Sequence, residues 1–133
     1  MKLHARAGDS KPPAPTPPVR MTLWLAMLSS VILYAVVVVV VTPSMEPISL
    51  PAAVFPVAAI LAGFAGFVAH RRMTEESRRD SAPLHPMELL AWVLDEAVGV
   101  IGLVAAILAA SPVTFVAYGV VSLVLLLLHR PQS

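Results

Sequence analysis

The sequence predicts an all-α integral membrane protein whose four transmembrane helices form two antiparallel hairpins, with the N-terminus and the C-terminus in the cytoplasm. Three observations lead to this prediction. Hydrophobic residues make up 58% of the 133 residues and charged residues only 13%, a composition outside the usual range of soluble domains. The apolar residues are concentrated in four long segments, and the basic residues all lie outside those segments.

The N-terminal part of the chain, 1–20, is predicted to be a disordered cytoplasmic tail. It holds five prolines and four of the nine basic residues, with almost nothing apolar to bury. A solvated tail is the main interpretation, and a proline-rich ligand for an aromatic groove is the alternative. The uncharged segment 21–41 is long enough, at about 1.5 Å per residue, to cross a hydrocarbon core of about 30 Å. It is too long for the apolar part of a cleaved signal peptide.

The remaining segments complete a predicted membrane domain over 21–130. The second helix is predicted over 51–70 and is followed by a polar cytoplasmic loop over 71–85. The third and fourth helices are predicted over 86–110 and 112–128. Their connection is so short that they must run antiparallel. A three-residue tail, 131–133, follows the membrane domain.

The basic residues predict the orientation in the membrane. All nine lie in the N-terminal tail, in the polar loop or at the C-terminal end, and the two short turns have none. Because positive residues are retained on the cytoplasmic side, those three regions are assigned to the cytoplasm of a bacterium and the helices to its inner membrane.

Two adjacent acids, Asp95 and Glu96, interrupt the third apolar segment. They lie about 14–15 Å along the helix from Pro86, close to the middle of a bilayer. A charged group there costs about 2.5–3.5 kcal/mol, so such residues usually face other helices and have a function. No lysine or arginine lies within the four segments, so no salt bridge is expected at this depth. Burial and mutual repulsion both favour the protonated acids.

The two acids are predicted to have different surroundings, because neighbouring residues on a helix point about 100° apart. Asp95 shares a face with small residues that are typical of close helix packing. The small residues on this face and on the second helix form the predicted packing set: Gly63, Gly66, Ala91, Gly99, Gly102 and Ala106. Asp95 is therefore placed inside the bundle, and Glu96 at its edge or at an interface with another chain.

The run around Glu96 resembles the ion-carrying helix of the c subunit of F-type ATP synthases. In that family an intramembrane glutamate is followed by alanine and, six to eight residues on, by Gly-Leu-Val. Glu96, Ala97 and Gly102-Leu103-Val104 have this spacing. The resemblance implies that Glu96 carries a proton or a cation and that the preceding arginine-containing loop is cytoplasmic.

Two functions follow as hypotheses. The first is a non-enzymatic membrane subunit in which Glu96, tuned by Asp95, binds a proton or cation at a helix interface. The second is an accessory or scaffolding subunit of a larger membrane complex. In that case the acids are structural and bond to a backbone carbonyl, Ser29, Ser30 or Tyr34, or they contact a partner subunit. The expected partners are the lipid bilayer and further copies of this chain or other membrane subunits.

Other classes of function lack a sequence signal. The chain has no cysteine and no nucleophile, phosphate-binding or zinc-protease motif, so we predict no catalytic residue, no metal and no cofactor. His70 and His129 are expected to complement helix dipoles or to contact lipid headgroups. A metal site formed with His85 stays open but has no spacing signature. Nucleic-acid binding is not expected, because membrane topology accounts for the basic residues.

Overall fold

The computed structural model describes residues 17–49, 51, 53–77 and 86–131. All regular structure in these residues is helical. The four long helices are α1 (Pro17–Val41), α2 (Val54–Ser77), α3 (Pro86–Leu108) and α4 (Pro112–Leu128), and a 3-10 turn (Thr42–Ser44) follows α1. Residues 1–16, most of the predicted tail, lie outside the described residues.

Several helix ends differ from the sequence-based bounds. Helix α1 begins four residues before position 21, because proline fits the first turn of a helix, where its missing N–H has no partner to lose. Helix α2 continues to Ser77, well into the predicted loop, and carries an exposed Arg71–Glu75 pair with a closest N–O distance of 3.8 Å. Helix α3 ends two residues early, at Leu108, because Ala110 adopts a left-handed backbone with φ of 49°.

The helices have the length and surface of membrane spans. Three segments are long and apolar enough to cross a membrane, namely Val19–Ser44, Val54–Glu75 and Pro86–Leu108, while α4 is a shorter apolar helix. Large apolar side chains point outward, among them Ile60 and Val40, whose exposed fractions are 69% and 68%. A surface of this kind is suited to lipid. The described part of the chain is therefore all-helical, and the protein is a multi-pass membrane protein, as its composition predicted.

Helix α3 is the centre of the bundle. It packs against all three other helices, whereas α1 and α2 barely touch each other. Helices α3 and α4 run antiparallel, since Ser122 lies beside Asp95 and Tyr118 beside Gly102. Helix α1 runs parallel to α3.

The four arginines within the described residues lie at the same end of the bundle, which we call the arginine end. It contains the starts of α1 and α3 and the ends of α2 and α4. Those arginines are Arg20, Arg71, Arg72 and Arg130. At the opposite end, the backbone N–H of Ile48 donates to the carbonyl of Leu108 over 2.7 Å and attaches the α1–α2 connection to α3.

The predicted packing residues lie mainly on the buried face of α3. Ala91, Gly99, Gly102 and Ala106 are all buried there. On α2, Gly66 is buried against α3, and a Cβ at this position would lie 2.7 Å from Asp95 Oδ1. Gly63 has more room, because a Cβ there would lie 3.5 Å from the nearest atom, Leu125 Cδ1. At Gly102, α4 lies so close that a Cβ would be 2.3 Å from Tyr118 Cβ.

Candidate functional site at the buried acids of α3

Asp95 lies in the interior of the bundle. Its side chain is fully buried, and its Oδ2 lies 2.5 Å from His129 Nδ1, within hydrogen-bond distance. His129 directly follows α4. From the same helix, Ser122 Oγ donates to the backbone carbonyl of Asp95 over 2.7 Å. The other carboxyl oxygen, Oδ1, is buried and has no hydrogen-bond partner. It is directed at Gly66, where the absence of a side chain leaves room for it.

Neighbouring groups fix the position of His129. Its backbone carbonyl accepts a hydrogen bond from Trp92 Nε1 over 2.7 Å. Its ring stacks on that of His70, with the ring centroids 4.1 Å apart and the planes inclined by 25°. Asp95, His129 and His70 therefore form one contact cluster, which we call the His–Asp cluster, and it joins α3, the end of α4 and α2.

Glu96 faces α1. Two side chains one turn apart on α1 contact its Oε1, namely Ser30 Oγ at 2.5 Å and Tyr34 OH at 2.7 Å. Ser30 Oγ also lies 2.7 Å from the backbone carbonyl of Met27. Glu96 is partly exposed, and no basic side chain forms an ion pair with it among the described residues. Ser29 is exposed and donates to Leu25 in its own helix.

A third polar contact was not predicted from the sequence. The guanidinium group of Arg20 forms an ion pair with Glu88, which is 4% exposed, near the start of α3. Close by, Trp24 Nε1 donates to the backbone carbonyl of Leu126 over 2.8 Å. These contacts hold the starts of α1 and α3 and the end of α4 together at the arginine end. The only signal in the sequence is that Arg20 and Glu88 both lie close to the start of a predicted transmembrane segment.

The structure corrects the expectations about the histidines. His129 is 5% exposed and contacts Asp95, so the expected contact with headgroups is not formed, whereas its place at the C-terminal cap of α4 agrees with the expected position at a helix end. The reason is the position of the end of α4 along the bundle. Helix α4 stops beside α3 and does not extend past its first residue, so the residue after α4 lies against the interior of α3. His85 lies outside the described residues. Within the described part of the chain, no three His, Asp, Glu or Cys side chains are arranged to hold a metal ion.

Comparison of the chain with protein-family models, curated proteins and solved structures gave no match. Any function of the acids must therefore be inferred from their own contacts. Those contacts separate the acids into two sites. Asp95 belongs to the buried His–Asp cluster between α2, α3 and α4, whereas Glu96 belongs to a partly exposed group of hydroxyls between α1 and α3.

Proposed function

We propose that the chain is a small, non-enzymatic membrane subunit in which Glu96 binds and releases a proton, or a small cation in its place, between α1 and α3. This is also the role that the resemblance to c subunits implies for Glu96. Further copies of this chain or other membrane subunits are the proposed partners.

One observation carries the proposal. Ser30 Oγ has a single hydrogen but lies within hydrogen-bond distance of two acceptors, Met27 O and Glu96 Oε1. A proton on Glu96 satisfies every contact, because Tyr34 then donates to the carboxyl, the carboxyl donates to Ser30, and Ser30 donates to Met27. An ionised Glu96 leaves one hydrogen shared between two acceptors. The three contacts can therefore accommodate a protonated carboxyl.

The position of Glu96 suits a group that exchanges a proton with its surroundings. A group that binds and releases a proton must be partly shielded, so that its environment selects the neutral form, and it must still be reachable. Glu96 is partly exposed on the outside of the α1–α3 junction, whereas Asp95 is fully buried.

Carbodiimide labelling tests the proposal, since this reagent modifies protonated carboxyls in apolar surroundings. In membranes at neutral pH, we expect mass spectrometry to find the modification on Glu96. The Glu96→Gln variant is the control and should lose that label while keeping its fold, because an amide oxygen can still accept from Tyr34. Protection of Glu96 by added sodium ions identifies a cation site, and indifference to sodium identifies a proton site.

A wild-type Glu96 that stays unlabelled in the same membranes would refute the proton-binding proposal. It would favour the second candidate function, a scaffolding subunit. The observation behind that candidate is that each acid joins α3 to a different helix, Glu96 to α1 and Asp95 to the end of α4. A scaffolding role predicts that Glu96→Gln leaves assembly with partner subunits intact.

The proposed topology has four crossings of a bacterial inner membrane, as two antiparallel hairpins with both termini in the cytoplasm. Its support is the charge distribution. The described arginines lie at one end of the bundle, and the polar contacts that hold this end together join Arg20 to Glu88 and His129 to Asp95. Positive residues favour the cytoplasmic side, so the arginine end is assigned to the cytoplasm.

Cysteine labelling tests this topology, because the chain has no cysteine of its own. A membrane-impermeant maleimide should modify Glu46→Cys in intact cells, and Glu75→Cys only after the membrane is opened. Both positions are exposed, so they form a matched pair. The reverse pattern would place the arginine end outside, and labelling of both variants in intact cells would contradict the assignment of these positions to opposite sides.

A further inference from the structure

The His–Asp cluster has a feature that packing alone does not require, namely a gradient of exposure along three ionisable side chains. Asp95 is fully buried, His129 is 5% exposed and His70 is partly exposed. The cluster thus connects the interior of the bundle to the arginine end. It is separate from the Glu96 site, since Asp95 faces α2 and α4, whereas Glu96 faces α1.

We propose that the His–Asp cluster is a second proton-binding site, distinct from Glu96, which holds one proton on the His129–Asp95 pair and excludes a second proton from His70. The proton comes from water at the arginine end and returns there. No other reactant takes part.

The contacts within the His–Asp cluster limit it to one bound proton. His129 Nδ1 and Asp95 Oδ2 lie within hydrogen-bond distance, so an imidazolium at His129 can donate to the carboxylate of Asp95. A second proton on His70 would place two positive rings with their centroids 4.1 Å apart, and like charges at that distance repel strongly away from bulk water.

Among the described residues around the two histidines, only one negative group is left to balance a protonated imidazole. From α3, Asp95 and Glu88 both act electrostatically on His70, but Glu88 is already paired with Arg20 of α1. From α2, the neighbours Arg71 and Arg72 are exposed, as is Arg130 beyond α4, and all three are positive. The charge of Asp95 therefore balances one imidazolium and not two.

The unpartnered oxygen of Asp95 shows why the proton matters to this site. Oδ1 is buried without a hydrogen bond, so the contact with His129 is the only hydrogen-bond contact of the carboxyl group among the described residues. Loss of the shared proton would leave a buried carboxylate without a cation. The occupancy of the site is thereby coupled to the contact among α2, α3 and the end of α4.

Nitrogen NMR of histidine-labelled, full-length protein in lipid nanodiscs tests the proposal. The imidazole signals are followed across a pH series. We expect His70 and His129 to lose their protons in separate steps, whose midpoints differ at least tenfold in proton concentration. His129 should be the last to lose its proton. A single common midpoint for the two rings would overturn the proposal, and this readout needs no variant beyond those used to assign the signals.

Two variants then locate the proton. Asp95→Asn should lower the proton affinity of His129 at least tenfold, because it removes the neighbouring negative charge. An unchanged affinity would overturn the proposal. Glu96→Gln is the matched control on the adjacent residue and should leave His129 within about twofold of the wild type. An effect of Glu96→Gln as large as that of Asp95→Asn would mean that the acids form one site, which would overturn the separation proposed here but not the role of Glu96.

Discussion

Gly102→Ala is expected to weaken the bundle more than any other single methyl addition on α3. The added Cβ would lie 2.3 Å from Tyr118 Cβ and 2.9 Å from Tyr118 Cγ. A Cβ is fixed by its own backbone, so rotation of the tyrosine cannot relieve this clash, and α3 and α4 must move apart. Overpacking of this kind costs about 1–3 kcal/mol. We expect the upper end of that range for the free energy of unfolding measured in detergent micelles or bicelles.

Gly63→Ala is the matched control for this prediction. It adds the same methyl group to α2, but the nearest atom would lie 3.5 Å away at an ordinary contact distance. We expect Gly63→Ala to change the free energy of unfolding by less than about 0.5 kcal/mol, as is usual for substitutions without a clash. Equal losses in the two variants would contradict the close α3–α4 approach at Gly102.

His129→Ala is expected to have the largest effect of any polar substitution. It removes the only hydrogen-bond partner that the Asp95 carboxyl has among the described residues. Breaking a buried ion pair by removing one partner costs about 3–5 kcal/mol, because the other charge stays buried and unpaired. The measurement is the free energy of unfolding at neutral pH.

Two further variants separate this effect from the loss of bulk. His70→Ala removes only the stacked ring, and we expect it to cost about 1 kcal/mol. The double variant Asp95→Asn with His129→Ala should cost less than the sum of the two single changes, since the amide no longer needs a cationic partner. Additive costs would show that Asp95 and His129 do not interact in the folded protein.

The membrane class of this chain could be predicted from its sequence because it depends on composition and segment length, which need no tertiary information. The bounds of α4 coincide in sequence and structure, since Ser111-Pro112 marks its start and His129-Arg130-Pro131 its end. The start of α1 was placed too late, because prolines at 17 and 18 were assigned to the tail although a first helical turn accepts them.

The contacts of the acids were less predictable, because they depend on which helices are neighbours. The pairing of Arg20 with Glu88 requires α1 and α3 to lie side by side, which a simple succession of hairpins does not indicate. The contact of His129 with Asp95 depends on where α4 ends relative to α3. Ser30 and Tyr34 were named as possible partners of an acid, and both contact Glu96. The sequence does not indicate, however, which of the two acids these hydroxyls contact.

Infrared difference spectroscopy of the protein in lipid membranes tests the central claim most directly, namely that Glu96 binds a proton between α1 and α3. Spectra recorded as the pH is changed should contain the carbonyl stretch of a protonated carboxyl that disappears reversibly as the pH rises. This band should be absent from Glu96→Gln and present in Asp95→Asn. A Glu96→Gln spectrum identical to that of the wild type throughout the series would contradict the claim, because Glu96 would then never exchange a proton.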